Sequence, residues 1–504
     1  TAAGLRILQQ GGNAFDAAIA AAAVIAVVEP NSNHVGGDAF ALCHPAGAPT
    51  PVAVNASGPA PAEDRPERHS QGIPAHGLES ATVPGAVSAW ETVLARFGTM
   101  RLADALAPAI DYAEAGFPVD YALAAALHEM REVLARFPAS AAIFLPGGEP
   151  LRRGQLLAQP DLAATLRAIA ADGAGAFYRG GFADALARAA QSDGGAFVRE
   201  DLAGYACEVV APVRTFYRGW EILEQPLPSQ GFVVLEALNI VEGFELEQLE
   251  FGSAQLLHVL LEAKKLAFAD RHAFMGDPRF VRAPVAQVLT KEFAAQRRMA
   301  LDPARASREQ SRGDPSNIGT DTTAITVADA HGNAIAFIQS VFRSFGSGYV
   351  VPGTGVLLNN RRTGFALDPR SPNVLAGGKR TVHTLNTYMV LREGRPALLG
   401  SSPGGHYQVQ ANLQIITNLL DFGMHVQEAI DAPRWYHDEE TGRVVLESRF
   451  DPAVGGVLRS RGHEVRWDAP WCGHARAQAI AFDTDSETLF GATDPRWHGQ
   501  VLGF

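Results

Sequence analysis

Up to about residue 300, hydrophobic positions recur at intervals of three and four, the spacing of one helical face. This spacing predicts helices over 102–115, 122–136, 162–170 and 254–274, punctuated by Pro118, Pro138, Pro146 and Gly147. The run 17–28, AAIAAAAVIAVV, is apolar all round. Its 12 residues fall short of the about 20 that a membrane-spanning helix needs. Asn13 can cap it and Asp16 can sit in its first turn, so a buried core helix is expected. From Asp302 to Asp321 the pattern lapses into DPARASREQSRGDPSNIGTD, polar and rich in Gly, Pro and Ser, which predicts a loop or linker open to cleavage. The period then changes to two. TAITVADAHGNAIAFIQSV reads as a hairpin turning at AHGN, and TYMVLREGRPALLGSS as a second turning at EGR. Helices return over 408–420 and 426–432, with strands over 443–446, 464–467 and 477–482. No solenoid-type repeat is present. Helices first and hairpins later predict an α/β fold with helices outside paired sheets.

Composition narrows the function. The 504 residues are 47% hydrophobic and 19% charged, which describes a globular protein with a large core. A net charge of −12 argues against nucleic acid, which needs a basic footprint. Cys43, Cys207 and Cys472 are too scattered for a disulfide framework or a zinc site and are expected to be small core residues. No charged segment and cleavage site frame the apolar run, so a cytoplasmic protein with no membrane partner is expected. The row opens at Thr1 without Met, which leaves an upstream piece open.

The chain lacks a convincing Gly-x-Ser-x-Gly elbow: Gly346-Ser347-Gly348 is too short, and LGSSPGGHYQ has other spacing. His437, Asp438, Glu439 and Glu440 form the densest cluster of metal-ligand residue types. Without helical ligand spacing, the run reads as a solvated loop, so no metal or cofactor is expected. Another chemistry is open to Thr322. If the Asp321–Thr322 bond is cut, the new α-amine, with a reference pKa of about 7.7–8, lies beside its own hydroxyl and can take its proton. The cut can be self-catalysed, with Oγ of Thr322 attacking the Asp321 carbonyl and water hydrolysing the resulting ester. On spacing alone, a plain strand start competes with this reading.

DTTAITVADAHGNAIAFIQS, GSGYVVPGTGVLLNN, GSSPGG and AIDAPRW resemble the γ-glutamyltranspeptidase family of N-terminal-nucleophile hydrolases. GGNAFDAAIAAAAVIAVVEP, HVGGDAFAL and TVPGAVSAW resemble that family's first subunit, in order along the chain. The resemblance implies a four-layer αββα sandwich. It also implies a precursor that cuts itself into a large segment, 1–321, and a small one, 322–504, together one intertwined domain. It places the nucleophile at Thr322, followed by Thr323, with Ala324 where a His often comes next. The hydroxyl that supports the nucleophile falls on Ser340, and the oxyanion hole on Gly404 and Gly405, whose bare backbones suit it.

The substrate pocket departs from the family. Arg361 and Gly364 of LLNNRRTGF stand where a Gln and an Asp hold the glutamyl α-amine, and Phe342 replaces an Asn serving that amine. His383-Thr384 replace the Ser-Ser pair that holds the α-carboxylate, and Arg65 stands in for the carboxylate-binding arginine. A cationic Arg361 cannot accept from an ammonium group. The segment 365–380 is shorter than in members with a lid, and the added water favours hydrolysis over transfer. The expected activity is therefore a Thr-nucleophile amidohydrolase or acyltransferase acting on a small amide. Its acyl group would carry a carboxylate and no α-amine, as in oxamate or a dicarboxylic monoamide, cephalosporin side chains included. The competing readings are a γ-glutamyltransferase or hydrolase and, from another class, a processing-dead binding protein. A further oligomer is left open.

Overall fold

The computed structural model describes residues 1–307, 321–473, 475–483 and 486–504. Most of the expected linker, 308–320, lies outside the described residues, as does the side chain of Asp321. The chain forms two compact units, where the sequence reading expects one intertwined domain. One comprises Thr1–Val210, the described part of Gly319–Thr381, and Leu502–Phe504. The other comprises the described parts of Ala211–Ile318 and Val382–Val501. Each unit therefore takes chain from both sides of the Asp321–Thr322 bond.

The first unit is built on a five-stranded antiparallel sheet. Its order is Glu208–Val210, Val52–Ala56, Asp38–His44, Ala334–Phe342, Asp321–Ala328. Helix Ala14–Val28 packs on it as a core element. Asn13 Oδ1 accepts from the N–H groups of Phe15 and Asp16, and Asp16 accepts from the Asn13 N–H at 2.8 Å, closing a capping box. Asp16 also accepts from Thr99 and Met100, which fixes the start of the helix. Ala39, Ala41, Cys43, Ile335 and Phe337 point from the sheet into the same core as this helix. Successive side chains on a strand alternate faces, so Asp38 and Ser340 occupy the other face.

The second unit has a six-stranded antiparallel sheet: Thr488–Thr493, Gln478–Asp483, Arg395–Ser401, Thr387–Arg392, Trp220–Glu224, Val213–Tyr217. Helices Gly231–Val241, Ala254–Phe274 and Tyr407–Leu420 share its core. Helix Tyr407–Leu420 is fastened to the short strand Trp435–His437 by two glutamines one turn apart. Gln410 donates to the His437 carbonyl at 3.0 Å and accepts from its N–H at 2.7 Å, while Gln414 does the same to Trp435 at 2.9 and 3.1 Å. Each side-chain amide thus takes the place of a neighbouring strand.

Two expectations need correction. The charge run at 437–440 is not wholly solvated. His437 is buried, and Glu439 pairs with Lys264, itself fully buried and stacked on Phe268 at 3.9 Å. A buried ammonium needs an anion beside it, which draws Glu439 inward. The cysteines are not all core residues: Cys43 is buried, whereas Cys472 is exposed.

Candidate active site

Thr322 lies at the start of the Asp321–Ala328 strand, where pairing with Ala334–Phe342 slips. Asp321 pairs with Phe342 and Thr323 with Gln339, so Thr322 faces two residues, Ser340 and Val341. This is a β-bulge, a device that re-aims side chains beside active sites. Local chemistry builds it. The Phe342 N–H donates to Ser340 Oγ at 2.8 Å, and Phe342 takes φ of 85°, a conformation costly for a bulky residue. The Val341 backbone bonds instead to Ser32 and Asn360. Thr323 Oγ1 accepts from Asn33 Nδ2 at 2.5 Å and donates to Glu29 at 3.1 Å, so its side chain faces the helices. Thr322, only 7% exposed, is directed to the opposite face. That face carries Ser340 and, register-paired with Ser340, Asp38. Thr322, Ser340 and Asp38 therefore form a row across three adjacent strands.

Arg361 ends the row. Its backbone N–H donates to Asn359 Oδ1 at 2.9 Å, and Asn359 is itself held by Thr82 and Gly36. The guanidinium lies 4.0 Å from the Phe342 ring centroid and 3.6 Å from Asp38 Oδ2. The side chain is 1% exposed, yet none of its three nitrogens makes a hydrogen bond among the described residues. Burial pushes the Asp38 carboxyl up to about 7 against the pull of Arg361, and brings Arg361 down to about 10. Arg361 still stays cationic at neutral pH. Arg65 is exposed. Its neighbour Asp64 is buried and pairs with Arg362 at 3.2 Å and His69 at 2.8 Å, a cluster that no sequence motif marked. Gly364 contributes backbone, its carbonyl accepting from Asn373 at 2.6 Å.

The other sequence-marked residues belong to the second unit. Gly404 and Gly405 take φ of 137° and 59° and lead into helix Tyr407–Leu420. The Gly404 carbonyl accepts from the Tyr407 N–H and that of Gly405 from the Gln408 N–H. In a trans peptide the N–H points away from the C=O, so the Gly405 N–H is directed away from the helix. No described group accepts from the N–H of Gly404 or Gly405. Free, glycine-borne amide donors at a helix start can take up a developing oxyanion. His383 and Thr384 are both buried, and the His383 backbone pairs with the Pro228–Gln230 segment.

His258, Glu262 and His463 are the one described group able to hold a metal ion, and the cluster is closed on itself. The imidazoles bond to each other at 2.9 Å, His258 Nε2 bonds to the Asp302 carbonyl, and Lys265 sits on Glu262 at 2.7 Å.

Comparison with known proteins identifies the family and the fold. The sequence profile of the Gamma-glutamyltranspeptidase family matches residues 1–504. The chain is 39% identical to a glutathione hydrolase-like proenzyme (YwrD) of Bacillus subtilis, covering 99% of this chain and 96% of that protein. It is 37% identical to an oxamate amidohydrolase proenzyme of Klebsiella pneumoniae, over 99% and 96%. A cephalosporin acylase from Bacillus halodurans superposes with a TM-score of 0.90 at 37% identity, over 99% and 94% of the two chains. The fold is thus the α/β sandwich of the N-terminal-nucleophile hydrolases. The chain belongs to the γ-glutamyltranspeptidase family and is a threonine-nucleophile amidohydrolase made as a precursor that is cleaved into two subunits. Among the described residues, no helix is long and apolar enough to cross a membrane.

Proposed function

We propose that Thr322 is the nucleophile of an amidohydrolase whose acyl group ends in a carboxylate and carries no α-amine. The precursor cuts itself between Asp321 and Thr322, and the freed α-amine of Thr322 serves as the base. Thr322 Oγ attacks the substrate amide carbonyl while the α-amine takes the hydroxyl proton. The tetrahedral oxyanion is stabilised by the amides of Gly404 and Gly405. Collapse breaks the C–N bond, the proton passes to the leaving nitrogen, and water then hydrolyses the Thr322 ester. Ser340 fixes the bulge that orients Thr322.

One observation carries the choice of acyl group. The Arg361 guanidinium is buried over Phe342, ion-paired with Asp38 at 3.6 Å, and none of its nitrogens makes a hydrogen bond among the described residues. Such a cation suits a carboxylate, which can accept two parallel hydrogen bonds from it, and repels an ammonium group. His383 and Thr384 are assigned to the same acyl group. The similarity to an oxamate amidohydrolase and a cephalosporin acylase supports this reading. A γ-glutamyl hydrolase is the second reading. It is favoured by Asp38, a buried carboxyl 3.6 Å from Arg361 that could accept from an α-amine.

The test compares kcat/KM for oxamate, succinamate and glutaramate with that for γ-glutamyl-p-nitroanilide. At least one acidic monoamide should exceed the γ-glutamyl substrate by about tenfold or more. Preference for the γ-glutamyl compound over the whole panel would overturn the proposal in favour of the second reading.

A further inference from the structure

We propose that Gln230 is a positioning residue that locks the oxyanion turn to the acyl-recognition segment. The inference rests on the assignment of Gly404 and Gly405 as oxyanion donors. Gln230 is fully buried at the start of helix Gly231–Val241. Its single amide nitrogen donates to two carbonyls, that of Gly405 at 3.0 Å and that of Thr384 at 2.7 Å. Its backbone N–H donates to the His383 carbonyl at 3.1 Å. The preceding residue, Ser229, donates through Oγ to the Leu385 carbonyl at 2.7 Å. Residues 229 and 230 thus hold the carbonyls of His383, Thr384 and Leu385 in sequence, and reach across to Gly405 from the same place.

The consequence for catalysis follows from peptide planarity. Fixing the Gly405 carbonyl fixes the plane of the Gly405–His406 peptide, so that only the φ and ψ of Gly405 separate this anchor from the Gly404–Gly405 peptide that carries the Gly405 N–H. The Gln408 N–H at 3.3 Å is a weak second tether to that carbonyl, so Gln230 is its shorter partner. Glycine at both 404 and 405 leaves the turn without side chains to restrain it, and φ there is free to drift. A turn that must hold its N–H groups at about 2.7–3.1 Å from a tetrahedral oxygen needs an outside clamp. The acceptor half of the same amide, Oε1, is buried without a partner among the described residues. Only the donor half of this side chain is satisfied, so its place in the fold is set by the carbonyls it holds.

The experiment uses the fully cleaved enzyme carrying Gln230→Met, which keeps the volume and removes the donor. Its kcat should fall by about 30- to 100-fold, the scale set by a misplacement of about 1 Å. Affinity for a boronic acid analogue of the acyl donor, which forms a tetrahedral anionic adduct, should fall in parallel. Affinity for the free acid product should change by less than about threefold, because that product carries no tetrahedral oxyanion. Wild-type kcat, or an equal loss of affinity for both compounds together with a lowered melting temperature, would overturn the proposal. Should Gln230→Met fail to fold or cleave, Gln230→Asn decides by the same criteria, its amide one methylene too short to span both carbonyls. Gly405→Pro, which removes the backbone donor, separates the two levels of the inference. Unchanged turnover there refutes the oxyanion assignment, whereas lost turnover there with normal kcat in Gln230→Met refutes only the role of Gln230.

Discussion

Thr322 stands opposite Ser340 at the one place where the ladder between their strands slips, and the Ser340 hydroxyl receives the backbone N–H that makes the slip. A strand start without a bulge would keep Thr322 in register as one more rung. Thr322→Ala should therefore remain a single chain and lose activity, while wild type should yield segments ending at Asp321 and beginning at Thr322. Intact-mass analysis checks this, and efficient cleavage elsewhere with Thr322 internal would refute it. Ser340→Ala should slow cleavage and lower stability by about 1 kcal/mol through the lost hydrogen bond.

Arg361→Gln should reduce kcat/KM on acidic monoamides. A charge-assisted contact contributes about 1.5–3 kcal/mol, which corresponds to roughly ten- to a hundredfold. Adding Gly364→Asp should raise γ-glutamyl turnover only as far as Phe342 leaves room for an amine. Unchanged kinetics in the single variant would show that Arg361 serves the ion pair with Asp38 alone.

Asp38 gives stability a pH signature. Its carboxyl is raised by burial to about 7 in the folded state, against about 3.9 when unfolded. The folded state therefore holds the proton longer, and the stability this confers is present below about pH 4 and lost as pH rises to about 7. Asp38→Asn removes this loss. The unfolding free energy of the variant should gain on that of wild type between pH 4 and 7, at up to about 1.4 kcal/mol per pH unit, and the difference, read by denaturant unfolding, should level off above. A constant difference across that window would contradict the assignment.

Glu439→Gln should destabilise the protein by about 3–5 kcal/mol, because it strands the buried Lys264 ammonium. The pair Lys264→Met with Glu439→Gln should recover most of that loss, since neither residue then carries a charge. Denaturant unfolding of wild type and the two variants provides the comparison.

Much of the architecture was legible in the chain. Helices Leu102–Ala115 and Ala254–Phe274 begin and end where the hydrophobic spacing put them, and both hairpins turn at the expected residues. The helix expected over 122–136 is instead two, Tyr121–Glu129 and Arg131–Leu134, parted at Met130. Strand Asp38–His44 escaped notice because all seven residues are buried. A strand covered on both faces shows no alternation, and a short apolar run cannot be told from a helix by period. Asp38 was missed with it. Thr322, Ser340 and the glycine pair were marked by motif. Gln230 was not, since its importance lies in two carbonyls more than 150 residues away.

Each of the two large sheets joins a block of strands from before Thr322 to a block from after it, and this changes the kinetics of refolding once the chain is cut. Strand Asp38–His44 pairs with Ala334–Phe342 along seven positions, and Trp220–Glu224 pairs with Thr387–Arg392 along four. The precursor forms these ladders intramolecularly, at a rate independent of protein concentration. After cleavage the same ladders join separate molecules, so recovery from denaturant becomes second order and slows on dilution. The two segments can be made together once as a single chain; after that, the native state persists by the slowness of its unfolding more than by the ease of its return.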